Sequence, residues 1–187
     1  MDKILFVNAC VRPCSRTLEL AETLLQKLKG DTRQVNLQEI SLPALDLNGM
    51  QKRDQAVQRN DFSDPVFDTA KQFAEADVIV IAAPYWDLMF PAALKNYLEN
   101  ITVCNVTFRY SEKGIPQSLC RAKALYYVTT AGGFIGQNDF GFSYVKALAQ
   151  NFFGIEEVKC YTAEGLDIFG ADVDRIMSEA KLAISSQ

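Results

Sequence analysis

The chain has 187 residues, 49% of them hydrophobic and 22% charged, which suits one globular domain and excludes an intrinsically disordered chain. A core of this size needs neither disulfides nor a metal ion for stability. The formal net charge of −4 argues against nucleic-acid binding, and the absence of histidine removes the commonest general base and metal ligand.

Cysteine usage and hydropathy both bear on the compartment. The five cysteines are scattered and odd in number, which favours a reducing cytoplasm over a secreted disulfide framework. We identify no signal peptide, and the longest apolar run, 78–86, is too short to cross a bilayer. We therefore expect a cytoplasmic protein with no membrane or nucleic-acid partner.

The first predicted elements are a strand and a helix. Residues 4–7 form an unbroken apolar run, as a strand buried on both faces requires. Apolar residues then recur at helical spacing over 18–28, and Gly30 is predicted to end that helix. A weaker strand is predicted over 34–37, whereas 39–62 is polar and is predicted to be irregular.

The middle of the chain contains the strongest strand. A helix predicted over 65–75 leads into the apolar run 78–83. Pro91 suits the first position of the helix that follows. Alternating residues and a Ser-Glu-Lys-Gly turn predict a hairpin or lid, inserted over 102–118.

The last third of the chain continues the alternation of strands and helices. We predict strands over 125–129 and 158–161, and helices over 142–152 and 173–184. Five strands alternating with five helices indicate an α/β fold, with a doubly wound five-stranded parallel sheet and helices on both faces. We interpret residues 1–187 as one such domain.

A doubly wound sheet binds ligands beyond the carboxyl ends of its strands, which directs attention to three loops. In the first loop, 9–17, the hydroxyls of Ser15 and Thr17 lie where a helix begins, beside Arg12 and Arg16. Hydroxyls, free amides and guanidinium groups suit a phosphate, although Ser15 or Thr17 could equally serve as a helix cap.

The second and third loops differ in character from the first. Loop 84–90 carries Tyr85, Trp86, Met89 and Phe90, which could form a wall for a flat ring or pack as an apolar cluster or dimer interface. Loop 130–139 is rich in glycine, which lets a backbone approach a ligand closely. The three loops together suit a mononucleotide with a large planar ring, and FMN fits better than ATP because no Walker lysine motif is present.

Nearly the whole chain resembles the flavodoxin-like family of FMN-dependent NAD(P)H oxidoreductases, the azoreductase and quinone-reductase group. The motifs that carry this resemblance are Ser15-Arg-Thr17, Ala83-Pro-Tyr-Trp-Asp-Leu, Leu94-Lys-Asn-Tyr-Leu98, Val106-Thr-Phe-Arg-Tyr110, Thr130-Ala-Gly-Gly133 and Ala163-Glu-Gly165. The cofactor-binding residues that the resemblance implies are Cys10, Ser15, Arg16, Thr17, Pro84, Tyr85, Trp86, Asp87, Leu88, Thr130, Ala131, Gly132 and Gly133. Two of them depart from the family, since Cys10 replaces a small serine and Asp87 replaces the common asparagine.

The resemblance also implies an activity. NADH or NADPH would donate electrons to FMN in a ping-pong cycle, and small planar acceptors such as quinones, azo compounds or nitroaromatics would receive them two at a time. No catalytic side chain and no metal ion are required, because the flavin carries the chemistry. Members of this family are usually homodimers, and the same is implied here.

A low-molecular-weight tyrosine phosphatase is the first alternative. The spacing Cys10-x5-Arg16 matches the phosphate loop of those enzymes, and Asp64 precedes a proline as their general acid does. A thiolate beside arginine and a helix N-terminus would be nucleophilic. However, Pro13 removes an amide from that loop, and Asp64 lies too early in the chain.

A flavodoxin-type electron carrier is the second alternative. Such carriers are strongly acidic so that they dock their partners electrostatically, and a net charge of −4 is mild by comparison. The aromatic loop and the predicted lid favour a substrate pocket instead.

Overall fold

The structure is a computed structural model, and it describes residues 1–186. In chain order the strands are β1 (Asp2–Asn8), β2 (Gly30–Asn36), β3 (Val78–Ala82), β4 (Phe108–Tyr110), β5 (Pro116–Ser118), β6 (Ala124–Thr130) and β7 (Glu157–Ala163). The α-helices are α1 (Arg16–Lys27), α2 (Leu47–Arg59), α3 (Asp68–Glu75), α4 (Ala92–Ile101), α5 (Phe140–Asn151) and α6 (Val173–Ser185). A short 3₁₀-helix, Pro65–Phe67, precedes α3.

Five of these strands form one parallel sheet in the order β2-β1-β3-β6-β7. Neighbouring strands are parallel throughout, so their carboxyl ends lie along a single edge of the sheet. The chain reverses its direction of travel across the sheet between β1 and β3, which makes this the topological switch point. The predicted five-stranded doubly wound fold is confirmed.

Both faces of the sheet are buried, which explains the unbroken apolar runs in the sequence. In β1, Leu5 and Val7 face one core cluster, which α3, α4 and α5 cover, whereas Ile4 and Phe6 face the other. Helices α1 and α6 pack together over this second cluster. Successive residues of a strand point to opposite faces, so a strand covered on both sides has no polar alternation.

The prediction that 39–62 is irregular is wrong over α2. This helix buries only Ala56, so its sequence lacks the apolar stripe by which a helix is usually recognised. Its ends are marked instead by caps, because Asp46 accepts a hydrogen bond from the Gly49 amide at 2.8 Å and Asn60 is left-handed with φ 50°. Arg53 ties the helix to α4 by donating to the Glu99 carbonyl at 2.9 Å.

The prediction that Gly30 ends α1 is wrong, because Gly30 is the first residue of β2. Helix α1 ends at Lys27, and Gly30 lies opposite Asp2 of β1. A Cβ atom at Gly30 would lie 2.5 Å from the Asp2 carbonyl oxygen, so the close approach of the two strands requires glycine. The prediction missed the first part of β2 because this strand lies at the edge of the sheet. Residues 31–34 are exposed there, so their sequence lacks the apolar pattern by which a buried strand is recognised.

A small antiparallel hairpin lies within the segment predicted as a hairpin or lid. Strands β4 and β5 pair with Phe108 opposite Ser118, and Phe108 stacks edge-on against Phe152 at 5.0 Å between centroids. The domain predicted over 1–187 ends on residue 187, which lies outside the described residues. Over residues 1–186, none of the helices has both the length and the apolar character that a membrane crossing demands.

Candidate functional site

A cavity of about 390 Å³ lies at the carboxyl ends of β1, β3 and β6, beside the switch point. The three loops singled out in the sequence supply most of its lining. The predicted site residues that line it are Ser15, Arg16, Thr17, Pro84, Tyr85, Trp86, Thr130, Ala131 and Gly132. The predicted site residues outside its lining are Cys10, Asp87, Leu88 and Gly133. Sequence reasoning missed Val11, Cys14, Leu166 and Asp167, which also line the cavity.

The first loop brings the N-terminus of α1 to the cavity. Ser15 caps the helix, because its Oγ accepts a hydrogen bond from the Leu18 amide at 3.3 Å. Thr17 is 1% exposed, and its Oγ1 lies 2.6 Å from Oγ1 of Thr130, which joins the first and third loops. The cap and the anion site are therefore compatible, since the remaining amides and both arginines of this loop still border the cavity.

Arg16 pairs with a carboxylate that the sequence had not singled out. Its Nη1 lies 3.0 Å from Oδ1 of Asp167, in the loop after β7. The Asp167 amide donates to the Gly132 carbonyl at 2.9 Å, which fixes this loop against the third loop. The signal available in the sequence was indirect, since Asp167 lies just beyond the Ala163-Glu-Gly165 motif.

The second loop is a tight turn with a left-handed backbone. Trp86 and Met89 exchange backbone hydrogen bonds of 3.0 and 2.8 Å, and Asp87 and Leu88 between them have φ values of 49° and 67°. The turn leaves Tyr85 and Trp86 at the cavity, whereas Phe90 is buried and Met89 packs against the core. Of the four residues of this loop that could form a wall for a ring, Tyr85 and Trp86 line the cavity, whereas Met89 and Phe90 pack as an apolar cluster.

Replacing Leu88 with glycine is expected to raise the free energy of unfolding by about 0.5 to 1 kcal/mol. A left-handed conformation costs an L-residue about 1 to 2 kcal/mol, and glycine avoids this cost while losing some backbone entropy. Urea denaturation of the cofactor-free protein measures the change. The matched control is Leu88→Ala, which keeps the strain and should give no gain. Destabilisation by Leu88→Gly would contradict the prediction.

The third loop places one of its glycines where a side chain would displace the carboxylate of Asp167. A Cβ atom at Gly132 would lie 2.5 Å from Oδ2 of Asp167, whereas at Gly133 it would meet nothing within 4 Å. Gly133 accepts a backbone hydrogen bond from Gly165 at 3.0 Å. The close approach in this loop is at Gly132, between the backbone and the Asp167 carboxylate, and the approach to a ligand stays a prediction.

The phosphatase alternative places its nucleophile in the wrong environment. Cys10 is buried, lies outside the cavity lining, and has its thiol 3.8 Å from the Ala82 carbonyl. Burial raises the pKa of this thiol, and a hydrogen bond with Ser15 offsets the effect only in part. Asp64 caps the 3₁₀-helix through the Val66 amide at 2.9 Å and lines a different cavity. A nucleophilic thiolate needs a lowered pKa and access to the substrate.

Thiol labelling should distinguish the cysteines, with Cys14 reacting first at pH 8. Cys14 is exposed, whereas burial raises the pKa of Cys120 and of Cys160 to about 12. Only the thiolate is nucleophilic, so a thiol whose pKa lies far above the pH reacts slowly. Mass mapping after brief labelling of the native protein gives the order. Loss of the fast phase in Cys14→Ser is the control, and fast labelling of Cys160 would contradict the assignment.

The described residues include no cluster of three or more His, Cys, Asp or Glu side chains suited to a metal ion. What the cavity offers is an anion-binding end, formed by the N-terminus of α1 with Ser15, Thr17, Arg12 and Arg16, and an aromatic side formed by Tyr85 and Trp86. This donor set fits a phosphorylated molecule that carries a flat ring, and the cavity volume lies in the usual range for small-ligand sites.

Comparison with known proteins gives relatives over almost the full chain. Residues 2–187 match the family model described as flavodoxin-like fold. An FMN-dependent NADH:quinone oxidoreductase of Coprothermobacter proteolyticus is 34% identical, with 96% of this chain and 94% of the relative covered. One of the same name from Clostridium beijerinckii is 32% identical, with 96% and 94% covered.

Solved structures agree with this fold. The crystal structure of an azoreductase from Bacillus anthracis superimposes with a TM-score of 0.85 at 22% identity, covering 100% of this chain and 98% of that one. The chain belongs to the flavodoxin-like fold family, and within it to the relatives of the FMN-dependent NADH:quinone oxidoreductases.

Proposed function

We propose that this protein is an FMN-dependent NAD(P)H oxidoreductase that reduces quinones, azo compounds or both. The observation that carries the proposal is the cavity at the switch point, where an anion-binding helix N-terminus faces two aromatic side chains. The names of the relatives at 34% and 32% identity support NADH as the electron donor and quinones as acceptors. NADPH remains an alternative donor in this proposal.

Under this proposal the residues at the two ends of the cavity have separate tasks. The N-terminal amides of α1, with Ser15, Arg16 and Thr17, hold the FMN phosphate. Tyr85 and Trp86 cover the ring system. The further residues that we assign to the cofactor site are Pro84, Asp87, Leu88, Thr130, Ala131, Gly132 and Gly133. Cys10 is buried outside the cavity lining, so we assign to it only support of Ser15, to which its thiol is hydrogen-bonded.

The chemistry supplied by bound FMN is the transfer of two electrons from a nicotinamide to an acceptor. The protein's own contribution is orientation and electrostatics. We assign to the amides of Gly132 and Gly133 the stabilisation of negative charge at the ring's polar edge, because backbone N–H groups meet developing charge without reorganising. No histidine is available to move protons, so none of these tasks relies on one.

The same proposal covers the oligomeric state and the cellular location of the protein. Phe134 of the third loop, Phe140 at the start of α5 and Leu88 of the second loop are 77%, 55% and 48% exposed. Apolar side chains so exposed near one site favour a second copy of the chain as their cover. We propose a cytoplasmic homodimer of single-domain subunits over 1–187, and light scattering of the purified protein gives the subunit number.

To test the proposal, the purified protein is reconstituted with FMN and its visible absorption spectrum is recorded. NADH is then added in the absence of air. We expect bound flavin bands that bleach on addition of NADH and recover when a quinone or an azo dye is added. Parallel lines in double-reciprocal plots would support the ping-pong cycle. A protein that cannot bind FMN would refute the proposal, and bands that persist with both NADH and NADPH would favour an electron carrier.

A further inference from the structure

The anion-binding end of the cavity contains a carboxylate of the protein itself. Among the described residues that line this cavity, Asp167 is the acidic one, and its Oδ1 lies 3.0 Å from Nη1 of Arg16. The side chains of Arg16 and Asp167 are 42% and 72% exposed. An ion pair so open to water contributes little to stability, so folding alone gives no reason for a carboxylate here.

The backbone around Asp167 holds the carboxylate in this place. The amides of Leu166 and Asp167 donate to the carbonyls of Ala131 and Gly132 at 3.2 and 2.9 Å. A Cβ atom at Gly132 would lie 2.5 Å from Oδ2, so the carboxylate as it stands occupies the space beside this glycine. These backbone contacts therefore hold Asp167 beside the third loop, and its side chain lines the same cavity as the N-terminus of α1.

A phosphate that enters this end meets the positive charges of Arg12 and Arg16 and the negative charge of Asp167. Arg16 is already paired with Asp167 at 3.0 Å, so a phosphate bound by Arg16 would lie close to a charge of its own sign. Charges of like sign at such separations cost free energy even near a protein surface, and salt reduces the cost. A ligand without a phosphate would meet neither effect.

We propose that Asp167 is a specificity-determining residue that opposes phosphate binding, and that Arg16 exchanges Asp167 for the phosphate of FMN when the cofactor is loaded. The inference rests on the proposed function, because it takes FMN as the ligand. Its consequence is a lower affinity for FMN than the helix N-terminus and the arginines alone would give, since the phosphate competes with Asp167 for Arg16 and lies near its negative charge.

The experiment compares Asp167→Asn with wild type and with Asp54→Asn, which makes the same charge change at an exposed position of α2 outside the cavity. The dissociation constants of FMN and riboflavin are measured by fluorescence quenching at low and high salt. We expect Asp167→Asn to bind FMN about 5- to 10-fold more tightly at low salt, less so at high salt, with riboflavin unchanged. Asp167→Glu should restore the weaker binding of FMN.

Weaker FMN binding by Asp167→Asn would overturn the inference, because Asp167 would then help to orient Arg16 towards the phosphate. Equal binding would also overturn it, because Asp167 would then not oppose the phosphate. Equal tightening of FMN and riboflavin would also overturn it, since the effect would not act on the phosphate. If wild type binds neither flavin, the proposed function fails and inorganic phosphate becomes the probe. Phosphate should then raise the melting temperature of Asp167→Asn more than that of wild type, and an equal rise would overturn the inference.

Discussion

Replacing Arg16 with alanine is expected to weaken FMN binding by about 10- to 100-fold. The guanidinium group borders the anion-binding end of the cavity beside the N-terminus of α1. A charge-assisted hydrogen bond to a phosphate contributes about 1.5 to 3 kcal/mol, and 1.4 kcal/mol corresponds to a tenfold change in affinity. Fluorescence titration of the cofactor-free protein with FMN measures the effect.

The loss should be specific for the phosphate. Riboflavin has the same ring system without that group, so its affinity should change less than threefold or so in Arg16→Ala. Arg175→Ala is the matched control, because Arg175 is exposed on α6, pairs with Glu179 at 3.3 Å and lies outside the cavity. Unchanged FMN affinity in Arg16→Ala would exclude Arg16 as a ligand of the phosphate.

Phe73→Ala is expected to lower the free energy of unfolding by about 3 to 5 kcal/mol, the usual cost of emptying a fully buried aromatic site. Phe73 is 0% exposed, and its ring lies 4.8 Å from that of Phe153 between centroids. Because a domain of this kind is stable by only about 5 to 15 kcal/mol, the variant should unfold at much lower denaturant. Urea denaturation without FMN gives the value.

An exposed phenylalanine provides the control for this substitution. Phe169 is 105% exposed, so Phe169→Ala removes the same atoms without opening a cavity and should change stability by less than about 0.5 kcal/mol. A loss below about 1 kcal/mol for Phe73→Ala would mean that the core around α3 repacks around the missing ring.

The sheet and the position of its site could be predicted because their signals are local. Strand β3 is buried on both faces and therefore has the apolar run that identifies it, as do β1 and β6. Once the strand order is known, the carboxyl ends of these strands locate the cavity without any knowledge of side-chain positions. Ser15 and Tyr85 were found in this way, through the loops that carry them.

What could not be predicted depends on contacts between distant parts of the chain. Helix α2 is held by its caps and by Arg53 and not by a buried face, so its sequence has no apolar stripe from which a helix could be predicted. Gly30 is required by the backbone of β1, and a reading of the sequence alone treats it as a helix terminator. Asp167 reaches Arg16 across 151 positions, and such a pair leaves no trace in the local pattern.

The cavity is lined by residues 11–12, 14–17, 84–86, 130–132 and 166–167, which are spread along nearly the whole chain. On the ribosome these segments emerge one after another, and β1, at the start of the chain, gains its neighbour β3 only after residue 78 has been made. Asp167 follows β7 and is the last of these residues to be synthesised, and α1, which carries the anion-binding end, packs against α6 near the end of the chain. The lining is therefore complete only when β7 and the loop after it have joined the sheet, so a chain that ends before residue 166 lacks part of the cavity wall.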